Sequence, residues 1–412
     1  MKPRTRRAPA LLFAVSGCLT AQAAEAPRTL AIDANGLGAA RARMSQGDAA
    51  FMRQLAALRA DAERLLELKP ASVMDKTATA ASGDRQDYFS LAPYWWPDPA
   101  KPDGLPYVRH DGRVNPESRL GTDSAALART CNSVRTLAVA YWFTHDERHA
   151  QKAAELTRTW FLAPATRMAP HLEYAQAVPG ITHGRGYGII EARHLVSLID
   201  GVVLLAGSPH WTAADSTGMQ AWLAEYYHWL STGGNGRKEA SAPNNHGSWF
   251  DAQAVGIALA LGRGDEARRI LATVPANRIA RQIEPDGRQP LELARTKSLS
   301  YSLFNLEALM LLDRFGRQVG LDLWSFATAD GRSLRAALSH LAPYADPTRP
   351  WPRQDLEAAD HARLLPLLAE ALQHGDDVQL CGLWRKFGGN PASGETWRLW
   401  LAIPCPPAGR TP

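Results

Sequence analysis

The chain has 412 residues, 45% of them hydrophobic and 21% charged, with a formal charge of +5. That length and apolar fraction suffice for a substantial buried core, as one large or two ordinary domains. Lys2, Arg4, Arg6 and Arg7 supply four of the positive charges before any acidic residue occurs, so the remainder carries only about +1 and a globally basic nucleic-acid binder is excluded.

Those four residues precede an apolar stretch from Ala10 to Leu19 and the small-residue pattern Ala21-Gln22-Ala23. This is the form of a secretory signal over 1–23, and it leads us to expect export to the periplasm. The apolar stretch falls short of the roughly 20 residues that a bilayer crossing needs, and no later segment reaches that length, so no transmembrane segment is expected. Val15-Ser16-Gly17-Cys18 also resembles a lipobox, which would make Cys18 a lipid-anchor point and the product an outer-membrane lipoprotein. Cys131, Cys381 and Cys405 remain. Their odd number gives no disulfide framework, no C-x-x-C pair suggests zinc, and a Cys381–Cys405 bridge stays open.

From there on, helical periodicity dominates and alternating strand patterns are scarce. Helices are predicted over 39–68, 124–144, 147–161, 189–205, 213–231, 251–261, 264–273, 299–315, 334–341 and 361–373. Short breakers separate them, among them Asp146, Gly207-Ser208-Pro209, Gly233-Gly234-Asn235-Gly236 and Gly262-Arg263-Gly264. Short connections force neighbouring helices antiparallel. A succession of such hairpins closes into an all-α, incomplete (α/α) toroid, read as one domain over 24–412, whose inner helices line a groove. Two long segments interrupt the pattern, 82–119 and 164–187. Loops of that length in a compact domain are functional or disordered, and their aromatic content argues against disorder.

The residues richest in chemistry stand near the predicted helix at 251. They are Asn244, Asn245, His246 and Trp249, with Arg295 and Tyr301 following about 50 residues later. Asn, His, Arg and Tyr together answer one problem. In a polyuronate the C5 proton lies beside a carboxylate and becomes removable only when that carboxylate is neutralised. Asn245 can hydrogen-bond the carboxyl group while Arg295 or a protonated histidine adds charge. A tyrosine of lowered pKa, Tyr301, would then take the C5 proton and return one to the departing O4. For mannuronate, where H5 and O4 share a face, one Tyr serves as base and acid; for guluronate, His246 would be the base and Tyr301 the acid. Side chains perform the neutralisation, so neither metal nor cofactor is called for. Against this stand blander readings: the Asn–His pair as a helix cap with a structural histidine, and the tyrosine as core.

A resemblance adds to these residues. Asn244-Asn245-His246-Gly247-Ser248-Trp249 resembles the signature of the alginate lyase family of α/α-toroid polysaccharide lyases. Tyr94-Trp95-Trp96-Pro97-Asp98-Pro99 and Asp111-Gly112-Arg113-Val114-Asn115-Pro116 are similar to the superfamily's N-terminal block, and Glu284-Pro285-Asp286-Gly287 through Arg295 and Tyr301 to its C-terminal block. The resemblance implies that Asn245 and His246 bind and neutralise the uronate carboxylate, that Arg295 assists, and that Tyr301 is base and acid. It makes alginate, as polymannuronate, the expected substrate, with glucuronan or another polyuronate as alternatives.

Further candidates fill out the groove. Tyr94, Trp95 and Trp96 are sugar platforms or a packed loop plug. Arg109, Arg113 and Arg185 would hold neighbouring uronates, or be merely solvated. His183, in a glycine-rich turn, is a candidate second histidine. Two other classes stay open: an inverting glycosidase using carboxylates among Asp123, Glu191, Asp251, Glu284 and Asp286, and a non-catalytic polysaccharide-binding protein.

Overall fold

The computed structural model describes residues 27–358, 360–375, 377–388, 396–401 and 405. The expected signal over 1–23 and the lipobox at Cys18 lie outside them. Among the described residues, no helix is long and apolar enough to cross a membrane.

Burial separates two rings of helices. In the helix Asn245–Ala260, every residue from Gly247 to Ala258 is buried. A helix that is covered all round belongs inside. The next helix, Gly264–Val274, buries only Ala267, Leu271 and Val274, a single stripe at i, i+4, i+7, and therefore lies outside. Ser124–Thr144, Leu195–Leu204, Asn245–Ala260 and Ser298–Gln318 form the inner wall, the second packing on the first and third, and the third on the fourth. Ala49–Leu66 and Glu147–Thr157 pack outside Ser124–Thr144, and Ala213–Thr232 outside Asn245–Ala260. The result is the expected incomplete helical toroid.

The helix 124–144 has the predicted ends, closed by His145 in the left-handed conformation and restarted by the Asp146 side chain capping Arg148. The stretch 39–68 is instead two helices, Ala34–Ser45 and Ala49–Leu66. Gly47 takes a positive φ of 69° and Asp48 caps the second start. At the predicted breaker 233–236 the chain forms a further helix, Gly234–Ala240. There Gly236 lies so close to the Leu230 carbonyl that a Cβ would overlap it, so the glycine serves close packing.

The two long loops depart most from prediction, because they pair with each other. Strand β1 (Phe89–Leu91) from the first runs parallel to β4 (Tyr174–Ala177) from the second, while β2 (Trp95–Trp96) pairs antiparallel with β3 (Val108–Arg109). Both loops thereby become a fixed roof over one end of the inner helices. At the other end, the buried Asp200 carboxylate accepts hydrogen bonds from the backbone N–H groups of Leu30, Ala31 and Ile32, fastening the N-terminal segment. Cys381 and Cys405, left open by the sequence, are joined in a disulfide.

Candidate active site

Beneath the roof lies a cleft of about 660 Å³, lined by Tyr94, Trp95 and Arg109 from the first loop and Gln176, Arg185 and Tyr187 from the second. The inner helices contribute Asn244, Asn245, His246, Tyr301 and Phe304, and Arg295 stands just before the last of these helices. Tyr94 and Tyr301, 207 positions apart in sequence, thus meet in one wall.

The helix carrying the motif starts at Asn245, six residues earlier than predicted, so Asn245 and His246 occupy its first turn. Asn244 stands at the cap position but its side chain makes no capping bond. Asn244 lines the cleft instead. Asn245 is fully buried at the cleft floor. Its backbone N–H and its Nδ2 each donate to one oxygen of Glu292, both at 2.7 Å. Its Oδ1 has no partner. An unpaired buried oxygen costs about 1–3 kcal/mol, and here it accompanies a second, uncommitted N–H of the same amide. His246 lies in the wall with Nδ1 2.5 Å from Oε1 of the buried Glu239, and Tyr187 packs edge-on against its ring at 4.6 Å between centroids. That carboxylate orients the ring and leaves Nε2 for a ligand.

Tyr301 is the centre of a second group. Its hydroxyl accepts a hydrogen bond from Arg295 Nη2 at 2.7 Å and shares another of 2.7 Å with the Tyr94 hydroxyl. The Arg295 guanidinium also stacks 3.7 Å from the Tyr301 ring centroid. Asp111 grips Arg295 from behind at 2.7 to 3.1 Å. Burial pushes Asp111 up, but the hydrogen bonds and charge of Arg295 outweigh it and hold the carboxyl at about 2. The expectation of a lowered Tyr301 pKa is corrected. Burial raises it well above the ordinary phenol value, the neighbouring Tyr94 adds to the rise, and Arg295 only partly opposes it. Tyr301 is therefore a protonated phenol at neutral pH.

Other candidates separate cleanly. Trp95 lines the cleft, but Trp96 does not: consecutive strand residues face opposite ways, and the Trp96 indole donates instead to the Arg113 carbonyl at 3.1 Å. Arg113 is exposed and away from the cleft, whereas Arg109 sits at its rim, paired with Asp111. His183 is exposed and lines a separate hollow with Phe89 and Leu91, because the tight turn bridging Val178 and Thr182 swings it outward. Trp249 is buried one turn below the motif, its indole donating to the Phe304 carbonyl at 3.0 Å. Arg185 is in the cleft, donating to Gln176 Oε1 at 2.8 Å, with its Nε buried and unpartnered. Gln176 holds a positive φ of 49°, a strained backbone of the kind that collects at functional sites.

The sequence reading missed the carboxylates behind the site, Glu239, Glu292 and Asp111, and also Gln176, Tyr187 and Arg193. Charge balance is the signal that could have found Glu239 and Asp111, since buried His and Arg demand counter-charges; Glu292 answers the Asn245 amide instead. Of the carboxylates weighed for hydrolysis, only Glu191 lines the cleft, bound by the Tyr88 and Ser90 hydroxyls at 2.7 and 2.6 Å. Asp123 and Asp251 are buried against Lys76 and Arg278. Glu284 and Asp286 pair with Arg332 and Arg288. Among the described residues, no pair of carboxylates spans the cleft.

The alginate lyase family model matches residues 72–351, a span that holds the whole cleft. The chain belongs to the alginate lyase family. A solved alginate lyase from Bacteroides ovatus is 36% identical over 92% of this chain and 100% of its own, with a TM-score of 0.87. A variant of alginate lyase A1-III complexed with a tetrasaccharide is 17% identical over 92% of this chain and 98% of its own, at a TM-score of 0.57. Alginate lyase A1-III from Sphingomonas species A1 is likewise 17% identical, over 84% and 95%, at 0.52. These last two likenesses concern the fold alone. No curated protein matches the chain significantly. As a family member the protein is a polysaccharide lyase.

Two predictions follow the geometry of this alginate-lyase-family motif. A Cβ on Gly247 would overlap the Ala242 carbonyl and the guanidinium of Arg278. Arg278 is itself locked to Asp251 at 2.7 Å and to the carbonyls of Ala240 and Ala242 at 2.8 and 3.0 Å. We expect Gly247→Ala to destabilise the protein by roughly 1–3 kcal/mol, read as a lowered urea midpoint. Glu292→Gln should cost about 1–3 kcal/mol, because one of the two Asn245 donors then faces an NH2 group in a buried site. Its turnover should fall further than its stability explains; unchanged turnover would show that Asn245 needs no such anchoring.

Proposed function

We propose that the protein cleaves mannuronate-containing alginate by β-elimination. The observation that carries this reading is the convergence of Asn245, His246, Arg295 and the Tyr301 hydroxyl on one cleft, each held by a separate partner. His246 approaches the C5 carboxylate from the wall through Nε2, and Asn245 from the floor through its second N–H. Hydrogen bonds aimed at that carboxylate stabilise the enolate that forms as the C5 proton leaves. Arg185 and Arg109 hold carboxylates of neighbouring units, and Trp95 and Tyr187 offer aromatic faces to the sugar rings.

Tyr301 begins as a neutral phenol, so the transfer is concerted: its oxygen takes the C5 proton while its own proton passes to O4. The C5–H and C4–O4 bonds break, the C4–C5 double bond forms, and the phenol ends as it began. Arg295 stabilises negative charge on the phenol oxygen during the exchange. This route needs H5 and O4 on one face, as in mannuronate. A guluronate substrate would instead use His246 as base.

The test is incubation with polymannuronate, polyguluronate and glucuronan, following the ultraviolet absorbance of the 4,5-unsaturated uronate. We expect the fastest rise with polymannuronate; no rise on any of the three overturns the proposal. We further propose periplasmic export after removal of 1–23, which N-terminal sequencing of the periplasmic fraction would check.

A further inference from the structure

One turn below the cleft, the inner helices enclose a second hollow of about 480 Å³. It shares Arg193 and Phe304 with the cleft as a common wall. Arg135 reaches it from Ser124–Thr144, His194 and Ser197 from the start of Leu195–Leu204, and Trp249 and Phe304 supply apolar faces.

Its cations differ in how they are answered: Arg193 lies in the field of Glu191 and Glu307, and Arg135 in that of Asp200. Glu307 is spent on Arg363, in a two-pronged pair at 2.8 and 2.9 Å. Arg193 donates to the Ile190 carbonyl at 3.1 Å and lies 5.4 Å from the Phe304 ring centroid. Arg135 makes no hydrogen bond or ion pair among the described residues, and neither His194 nor Ser197 makes a side-chain hydrogen bond there. Asp200, the acid whose field reaches Arg135, already accepts three backbone N–H groups. Burial, with the nearby charges of Arg193 and Arg135, pushes His194 down to about 3, so the imidazole is a neutral hydrogen-bonding group. The Arg135 guanidinium therefore has donors open to an entering anion, and a charge-assisted hydrogen bond to a carboxylate is among the strong ones. A bare inorganic anion would make no use of the Trp249 and Phe304 faces, whereas an acidic sugar uses both kinds of wall.

We infer that this hollow is a second uronate site, which takes one acidic sugar unit by its carboxylate on Arg135 and Arg193 and packs the ring on Phe304 and Trp249. The sugar class rests on the polyuronate reading above; the open donors of Arg135 do not. Because Arg193 and Phe304 belong to both chambers, a short product leaving the cleft meets this site next.

The test uses the full chain carrying Tyr301→Phe, with the saturated mannuronate disaccharide as probe in equilibrium dialysis at low salt. Two sites per chain are expected. Adding Arg135→Gln should weaken one of them about tenfold or more, the effect of deleting a charged hydrogen-bond donor, and leave the other unchanged. Ser197→Trp, which fills the hollow and keeps every charge, should abolish the same site. A single site, or a second site indifferent to both substitutions, overturns the inference. If that happens while the wild type still forms unsaturated product, the lyase reading stands and only the second site falls. If no disaccharide binds and no polyuronate is cleaved, both fall.

Discussion

Tyr301→Phe is expected to reduce turnover by about 100- to 10,000-fold, the range for losing a positioned proton-transfer group. Oligouronate binding should stay nearly unchanged. The substitution removes one oxygen and keeps the ring on which Arg295 stacks, and Asp111 still holds Arg295 in place. Loss of kcat with KM preserved is the signature of a group that acts in the transition state alone. A non-catalytic polysaccharide binder would have no turnover for this change to remove. A variant that keeps wild-type kcat removes Tyr301 from the chemistry, even if the protein remains a lyase.

The second large effect is expected from Asn245→Ala, a loss of about 100- to 1,000-fold in kcat, comparable to deleting one donor of an oxyanion site. Its cause differs from that of the tyrosine. Asn245 is the group whose amide retains an unpaired Oδ1 and a spare N–H at the cleft floor, while Glu292 fixes its orientation through both of its own oxygens. Alanine leaves Glu292 with the backbone N–H as its remaining bond to residue 245, so some stability is lost as well. Steady-state kinetics beside a urea titration separates the two. If the rate falls only as far as the folded fraction does, Asn245 is structural and the carboxylate is neutralised elsewhere.

The sequence was most legible where structure is local. The 124–144 and 334–341 helices have their predicted ends because apolar spacing and capping residues act within a few positions. The structure also brings into one cleft Asn245, His246, Arg295 and Tyr301, which the sequence reading had grouped as residue types suited to one reaction. Legibility failed where partners are remote. Asp111 meets Arg295 across 184 positions and Glu292 meets Asn245 across 47, and no periodicity links them. Alternation along β2 and the bridged turn after β4 decided which neighbouring side chains enter the cleft. Trp95 does and Trp96 does not; Arg185 does and His183 does not. Composition names all four, and only strand alternation and the bridged turn sort them. The Tyr301 pKa went the other way from expectation for a similar reason, since its burial is a property of the assembled roof.

A structure of the Tyr301→Phe protein with a mannuronate tetramer bound tests the central claim most directly. The account predicts one uronate carboxylate within about 3.2 Å of both Asn245 Nδ2 and His246 Nε2, with its C5–H aimed at the missing hydroxyl. A tetramer whose carboxylates are all held by Arg109 and Arg185, with no C5 facing residue 301, would contradict it.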